Sequence, residues 1–140
     1  MSVADALQAA FAFTWLGLVL GISFIEAPIK FRAPGITTEL GVGIGRLVFR
    51  ALNIVEAIAA VALLAVSAVP GGRADWWSVI PLCVVLLIGA GILRPLMDRR
   101  VRDGRTAGAM PRHLLHLGYV GLELVKVVLL VVTGVLAFTG

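Results

Sequence analysis

Residues 114–140 read LLHLGYVGLELVKVVLLVVTGVLAFTG. Across this run the only formal charges are Glu123 and Lys126. It outlasts the ~20 apolar residues with which a helix crosses hydrocarbon. It shows no period-two alternation, so it reads as a membrane-crossing helix in which every backbone group is satisfied internally. Working back along the chain, charges and turn residues mark off three more such stretches. Residues 76–93 carry no charge before Arg94, residues 51–72 carry only Glu56, and the stretch between Asp5 and Glu26 carries none. Ala27-Pro28, Pro34-Gly35, Pro70-Gly71-Gly72, Asp103-Gly104 and Pro111 punctuate the connections. The fold class that follows is all-α, a polytopic four-helix transmembrane bundle with helices over about 6–26, 46–69, 76–97 and 112–137, forming one domain over residues 1–140.

Composition agrees. Of 140 residues 60% are hydrophobic and 14% charged, with a mean hydropathy of +1.04, against about 45–50% apolar and about 25% charged in soluble domains. A disordered chain is excluded, and the composition argues strongly against an ordinary water-soluble fold. Cys83 is the single cysteine and reads as a packed thiol with no internal disulfide partner. The first segment has no basic residue before its apolar run, and that run is longer than a signal-peptide core, so it is expected to be retained. Pro81 is expected to kink the third helix slightly. Trp15, Trp76 and Trp77 fit interfacial anchors near the outer leaflet.

Lys30, Arg32 and Arg46 lie between the first and second helices. Arg94, Arg99, Arg100, Arg102, Arg105 and Arg112 lie between the third and fourth, whereas the opposite side carries only Arg73. Basic loops stay in the cytoplasm, which orients the bundle up-down-up-down in the plasma (inner) membrane with both termini outside. The arginine-rich run 99–102 then reads as a retention signal meeting anionic headgroups rather than as a nucleic-acid contact. Gly41-x-Gly43-x-Gly45 has the wrong spacing for a dinucleotide fingerprint and no strand before it; the segment 31–49 reads as a re-entrant or interfacial piece. Gly17 and Gly21 have the spacing of a helix-packing pair and are expected to seat another helix of the bundle, and Gly89, Gly91, Gly118 and Gly121 permit similar close approach.

The informative residues are those foreign to hydrocarbon. Arg46, Arg50, Asn53 and Glu56 fall at offsets 0, 4, 7 and 10, and His116, Tyr119, Glu123 and Lys126 at 0, 3, 7 and 10. Each series traces one helix face. If the second and fourth helices run parallel, Asn53 lies level with Glu123 and Glu56 level with Lys126. A mid-membrane charge costs about 2.5–3.5 kcal/mol on insertion scales and therefore faces inward and finds a partner. Glu123–Lys126 and Glu56–Lys126 pairs follow, with Ser23, Glu26, Lys30, Arg94 and Asp98 joining them on the cytoplasmic side. Together they outline a polar vestibule that closes near Glu56 and Lys126, beyond which residues 127–132 are dry. A buried ion-pair network that only fixes register competes with a binding or proton-handling cavity, and the surplus of polar groups beyond one neutral pair favours the cavity.

His113 and His116 stand three apart, but no Glu-x-x-His motif accompanies them, so no metal, haem or other cofactor is expected. If the chain is an enzyme, His116 and Glu123 are the general acid/base candidates, with Arg46 or Arg50 holding an anion. The leading expectation is a cavity that binds or moves a small solute or proton. Alternatives are a small membrane enzyme acting on a lipid or quinone-like molecule, and an accessory subunit of a membrane complex. The partners implied are the lipid bilayer and its anionic headgroups and a small-molecule or proton ligand, with no nucleic acid. Transport through so short a chain would call for a homodimer.

Gly21-Ile-Ser-Phe24-Ile-Glu-Ala27-Pro28-Ile-Lys-Phe31, then Leu93-Arg94-Pro95-Leu96-Met97, then His116-Leu-Gly-Tyr119 with Glu123 four residues on, together resemble the transmembrane protein 205-like family of small four-helix proteins. The resemblance implies a multi-pass bundle and no settled reaction. Where that pattern has a small hydroxyl and an amide after the histidine, this chain has Tyr119 and Glu123. The glycine-bearing first helix ending in proline is also similar to the anthrone oxygenase-like membrane family, a likeness that would imply oxidation of a hydrophobic aromatic substrate.

Overall fold

A computed structural model describes residues 1–70, 76–103 and 112–139, except for the side chains of 98, 100–103, 112, 113 and 115. Arg73, Arg105 and Pro111, together with the side chains of Asp98, Arg100, Arg102, Arg112 and His113, thus lie outside the described residues. Among those described, all regular structure is helical. Four helices are long and apolar enough to cross a membrane: Val3–Arg32, Thr38–Ser67, Trp76–Met97 and His116–Thr139.

The first helix, α1 (Val3–Arg32), opens on a reciprocal cap. The Ser2 hydroxyl accepts from the Asp5 N–H at 3.1 Å and the Asp5 carboxylate accepts from the Ser2 N–H at 2.9 Å, satisfying two of the donors a helix start leaves open. It widens to a π-helical segment over Leu20–Glu26 and tightens to a 3₁₀ turn over Lys30–Arg32. Pro34 and Gly35 then turn the chain, and Gly35 adopts φ 79°, which a side chain would resist. The Thr37 hydroxyl accepts from the Leu40 N–H and starts α2 (Thr38–Ser67). This corrects the re-entrant reading of residues 31–49: from Thr38 onward they are the first turns of one straight-through helix. Gly41 and Gly45 are buried there because α1 packs on them. A Cβ on Gly41 would strike the Phe31 ring, and one on Gly45 would come within 2.6 Å of Lys30 Nζ.

The third helix, α3, takes in Trp76–Ile88, a π-helical stretch Gly89–Leu93, and Arg94–Asp103. Pro81 sits inside it without ending it. The fourth, α4, is Arg112–Thr139. α1 packs most extensively on α4 and then on α2, while α3 packs on α4 and α2, so α2 and α4 face each other across the bundle centre. Leu47, Ile54, Ile58 and Val61 on α2 and Leu117, Leu124 and Val128 on α4 are exposed, an apolar surface suited to lipid rather than water.

One apolar cluster draws on all four helices: Trp15, Val19, Ala60, Leu63, Val79, Leu82, Leu86 and Leu130. Trp15 is 1% exposed, which corrects its reading as an interfacial anchor. Gln8, Ala12, Trp15 and Val19 share one buried stripe at three- and four-residue steps. Trp76 and Trp77 are exposed at the start of α3. Residues 127–132 carry no polar side chain, but the apolar layer does not run to the end of the bundle, where Gln8, Ser67 and Ser78 are buried. The helix-packing reading of Gly17 and Gly21 is also corrected. A Cβ at either would meet nothing within 4 Å, whereas Gly134 receives the Phe13 ring. A Cβ on Gly89 would lie 3.8 Å from the Tyr119 ring, an ordinary contact, and one on Gly91, Gly118 or Gly121 would meet open space.

Candidate functional site: a shared ammonium beneath an aromatic pocket

Lys126, on α4, projects into the bundle centre and donates to two carboxylates at once. Its Nζ lies 2.8 Å from Glu56 Oε2 on α2 and 2.7 Å from Glu123 Oε1 one turn back on α4. All three are essentially inaccessible, at 2%, 0% and 2% exposure respectively. Two of three local charges are therefore negative, and the cluster carries a net −1 when both carboxylates are ionised. Trp15, on α1, and Glu56 are both fully buried. Trp15 Nε1 and Glu56 Oε1 each lack a hydrogen-bond partner of ordinary geometry.

Glu123 couples this cluster to a cavity. Its second oxygen, Oε2, accepts from the Ser23 hydroxyl at 3.0 Å. Ser23 lies in the π-helical part of α1, where the extra residue per turn rotates the helix face relative to a regular α-helix. Around this contact Phe24, Phe49, Met97, His116 and Tyr119 enclose about 80 Å³, room for several waters or one small polar group. His116, itself exposed, also lines the cavity.

Arg94, which follows the π-helical stretch of α3, forms another wall. Its guanidinium lies 4.0 Å from the centre of the Phe49 ring and 4.9 Å from that of Tyr119. Those two rings meet edge to face at 5.9 Å. Stacking of this kind holds a cation at an apolar boundary, worth about 0.5–2 kcal/mol per contact depending on desolvation. The pocket thus has aromatic sides, a cation in its wall and a carboxylate cluster at its floor.

The structure brings together Glu56, Tyr119, Glu123 and Lys126, with Ser23 and Arg94 beside them and His116 lining the cavity above. It does not bring Arg46, Arg50 and Asn53 to the same place. These line a separate groove between α2 and α3, which corrects the single stripe expected on α2. Arg50 and Glu56 are six positions apart, or about 120° around a helix with 3.6 residues per turn, too far to share a face. The buried stripe on α2 is instead Gly45, Phe49, Leu52, Glu56, Ala60, Leu63 and Ser67. Glu26 sits apart as well, 3.8 Å from Lys30, a charge contact longer than a hydrogen bond.

Sequence reading missed Phe24, Phe49, Met97 and the central position of Trp15. Phe49 was findable, because it lies two helical turns before Glu56 and so on the same face. Among the described residues, no three His, Cys, Asp or Glu side chains converge as a metal-ligand set. No protein-family model, curated protein or solved structure matches the chain.

Proposed function

We propose that the chain is a multi-pass protein of the plasma (inner) membrane, running up-down-up-down with both termini outside and the basic loops in the cytoplasm. Its pocket binds or moves a small solute or proton, and Glu123 is the group that exchanges with the occupant. One observation carries this reading: a single ammonium serves two buried carboxylates, and one of these also reaches the pocket through Ser23. A pair that only fixes helix register needs one carboxylate. The second leaves the cluster with more carboxylate than ammonium, and the Glu123 oxygen that faces Ser23 is the one that can exchange hydrogen-bond donors with an occupant of the pocket. Membership in the transmembrane protein 205-like group forms part of the same proposal.

The test uses the protein in vesicles loaded with a pH-sensitive dye. After a pH step the parent protein is expected to speed internal equilibration, and Glu123→Gln to return the rate to that of protein-free vesicles while keeping its helical content. Equal rates for parent and variant would remove Glu123 from this role. A parent rate equal to that of empty vesicles would confine the pocket to binding.

A second reading has its own support, since His116 and Glu123 line one cavity whose walls are aromatic. That arrangement suits acid–base chemistry on a lipid or quinone-like molecule. Turnover of such a substrate, lost in both His116→Ala and Glu123→Gln, would favour it.

A further inference from the structure

The groove that receives Arg46, Arg50 and Asn53 shares Arg94 with the Glu123 pocket and otherwise has a chemistry of its own. Arg94 joins these three from α3, so three arginines and one asparagine line a space of about 330 Å³. Ile54, Ala57, Ala90 and Pro95 complete the walls. Arg50, Ile54, Ala57 and Pro95 are exposed, so the groove opens sideways, on the surface that meets lipid.

Depth narrows the choice of occupant. Ser67 ends α2 and Trp76 begins α3, so both lie at the opposite end of the bundle from the groove. At a helical rise of ~1.5 Å per residue, Arg50 stands about 25 Å from Ser67, and Arg94 about 27 Å from Trp76. Both lengths approach the ~30 Å hydrocarbon thickness. Both helices therefore bring their guanidiniums to the same edge of the bilayer, where lipid phosphates lie. Below them Ile54, Ala57 and Ala90 offer an apolar track toward the bilayer centre.

We propose that this groove is a binding site for the phosphate headgroup of an anionic glycerophospholipid, with an acyl chain along Ile54, Ala57 and Ala90. Guanidinium forks match phosphate oxygens in pairs, and basic recesses between membrane helices hold such headgroups. Free phosphate would use the arginines but leave the apolar track and the lateral opening without a role. Arg94 also stacks on Phe49 and Tyr119, so a lipid in the groove would steady the wall of the neighbouring pocket.

The experiment is native mass spectrometry of the whole protein in a neutral detergent, titrated with phosphatidylglycerol, phosphatidylcholine or inorganic phosphate. The parent is expected to take one phosphatidylglycerol per chain saturably, to bind phosphatidylcholine at least tenfold more weakly, and to keep its lipid in equimolar inorganic phosphate. Arg50→Gln should weaken the lipid at least about tenfold, equivalent to about 1.4 kcal/mol. Arg50→Lys should recover part of that loss, and the Arg46→Gln/Arg50→Gln double variant should remove the adduct. Arg32→Gln, at an exposed position outside the groove, should change nothing. Equal binding of the two lipids, displacement by inorganic phosphate, an equal loss in Arg32→Gln, or an adduct unchanged in the double variant would each overturn the proposal.

Discussion

Replacing Lys126 by methionine is expected to destabilise the bundle by about 3–5 kcal/mol, the cost of leaving a buried charge without its partner. The reason is specific to this cluster. Lys126 is the shared donor to both Glu56 and Glu123, and methionine leaves two carboxylates facing each other in an apolar interior. Repulsion and desolvation then act together. The companion variant is Lys126→Met/Glu56→Gln/Glu123→Gln, which removes all three charges at similar volume. It is expected to regain most of the lost stability, because replacing a whole buried ionic group is often close to neutral. Thermal unfolding in detergent measures both. A Lys126→Met protein as stable as its parent would mean that the carboxylates had another source of compensation.

Trp15→Ala is expected to cost a similar amount, about 3–5 kcal/mol, the range for truncating a large buried aromatic. Trp15 packs in the cluster with Leu63, Leu82 and Leu130, each fully buried on a different helix. Deleting the indole opens a void between the carboxylate cluster and the apolar layer beyond it, and neighbours anchored on four helices can close that gap only in part. Trp15→Phe keeps most of the volume. Because Trp15 Nε1 makes no hydrogen bond of ordinary geometry, this variant should keep more than half of the stability that alanine loses. A phenylalanine variant as damaged as the alanine one would instead assign the indole N–H a strong bond, with Glu56 Oε1 the buried acceptor at hand.

The four spans were legible because hydrophobic length is a direct consequence of bilayer thickness, and α4 needed only residues 114–140 to declare itself. The Glu56–Lys126–Glu123 cluster was legible for a related reason. Charges at seven- and three-residue steps on α4 must point one way, and a lone ammonium in hydrocarbon must find an acid. The stripe on α2 misled because steps of four, three and three accumulate angular drift, carrying Glu56 away from Arg50. The glycines misled in a different way. Spacing announces that a close approach is allowed but not which helix comes near, so Gly17 and Gly21 stayed open while Gly134 took Phe13. The π-helical segments that set the faces of Ser23 and Arg94 leave no clear mark in composition. They follow from packing among helices that a single-segment reading does not weigh.

Infrared spectroscopy of the reconstituted protein at neutral pH probes the shared-ammonium cluster most directly. Two carboxylates hydrogen-bonded to one buried ammonium should give a carboxylate-stretching band displaced from that of a hydrated carboxylate, one that weakens in Glu56→Gln and in Glu123→Gln and persists in Glu26→Gln. A spectrum without that band, or one left unchanged by both cluster variants, would show that Glu56 and Glu123 do not share a buried charge and would contradict the account at its centre.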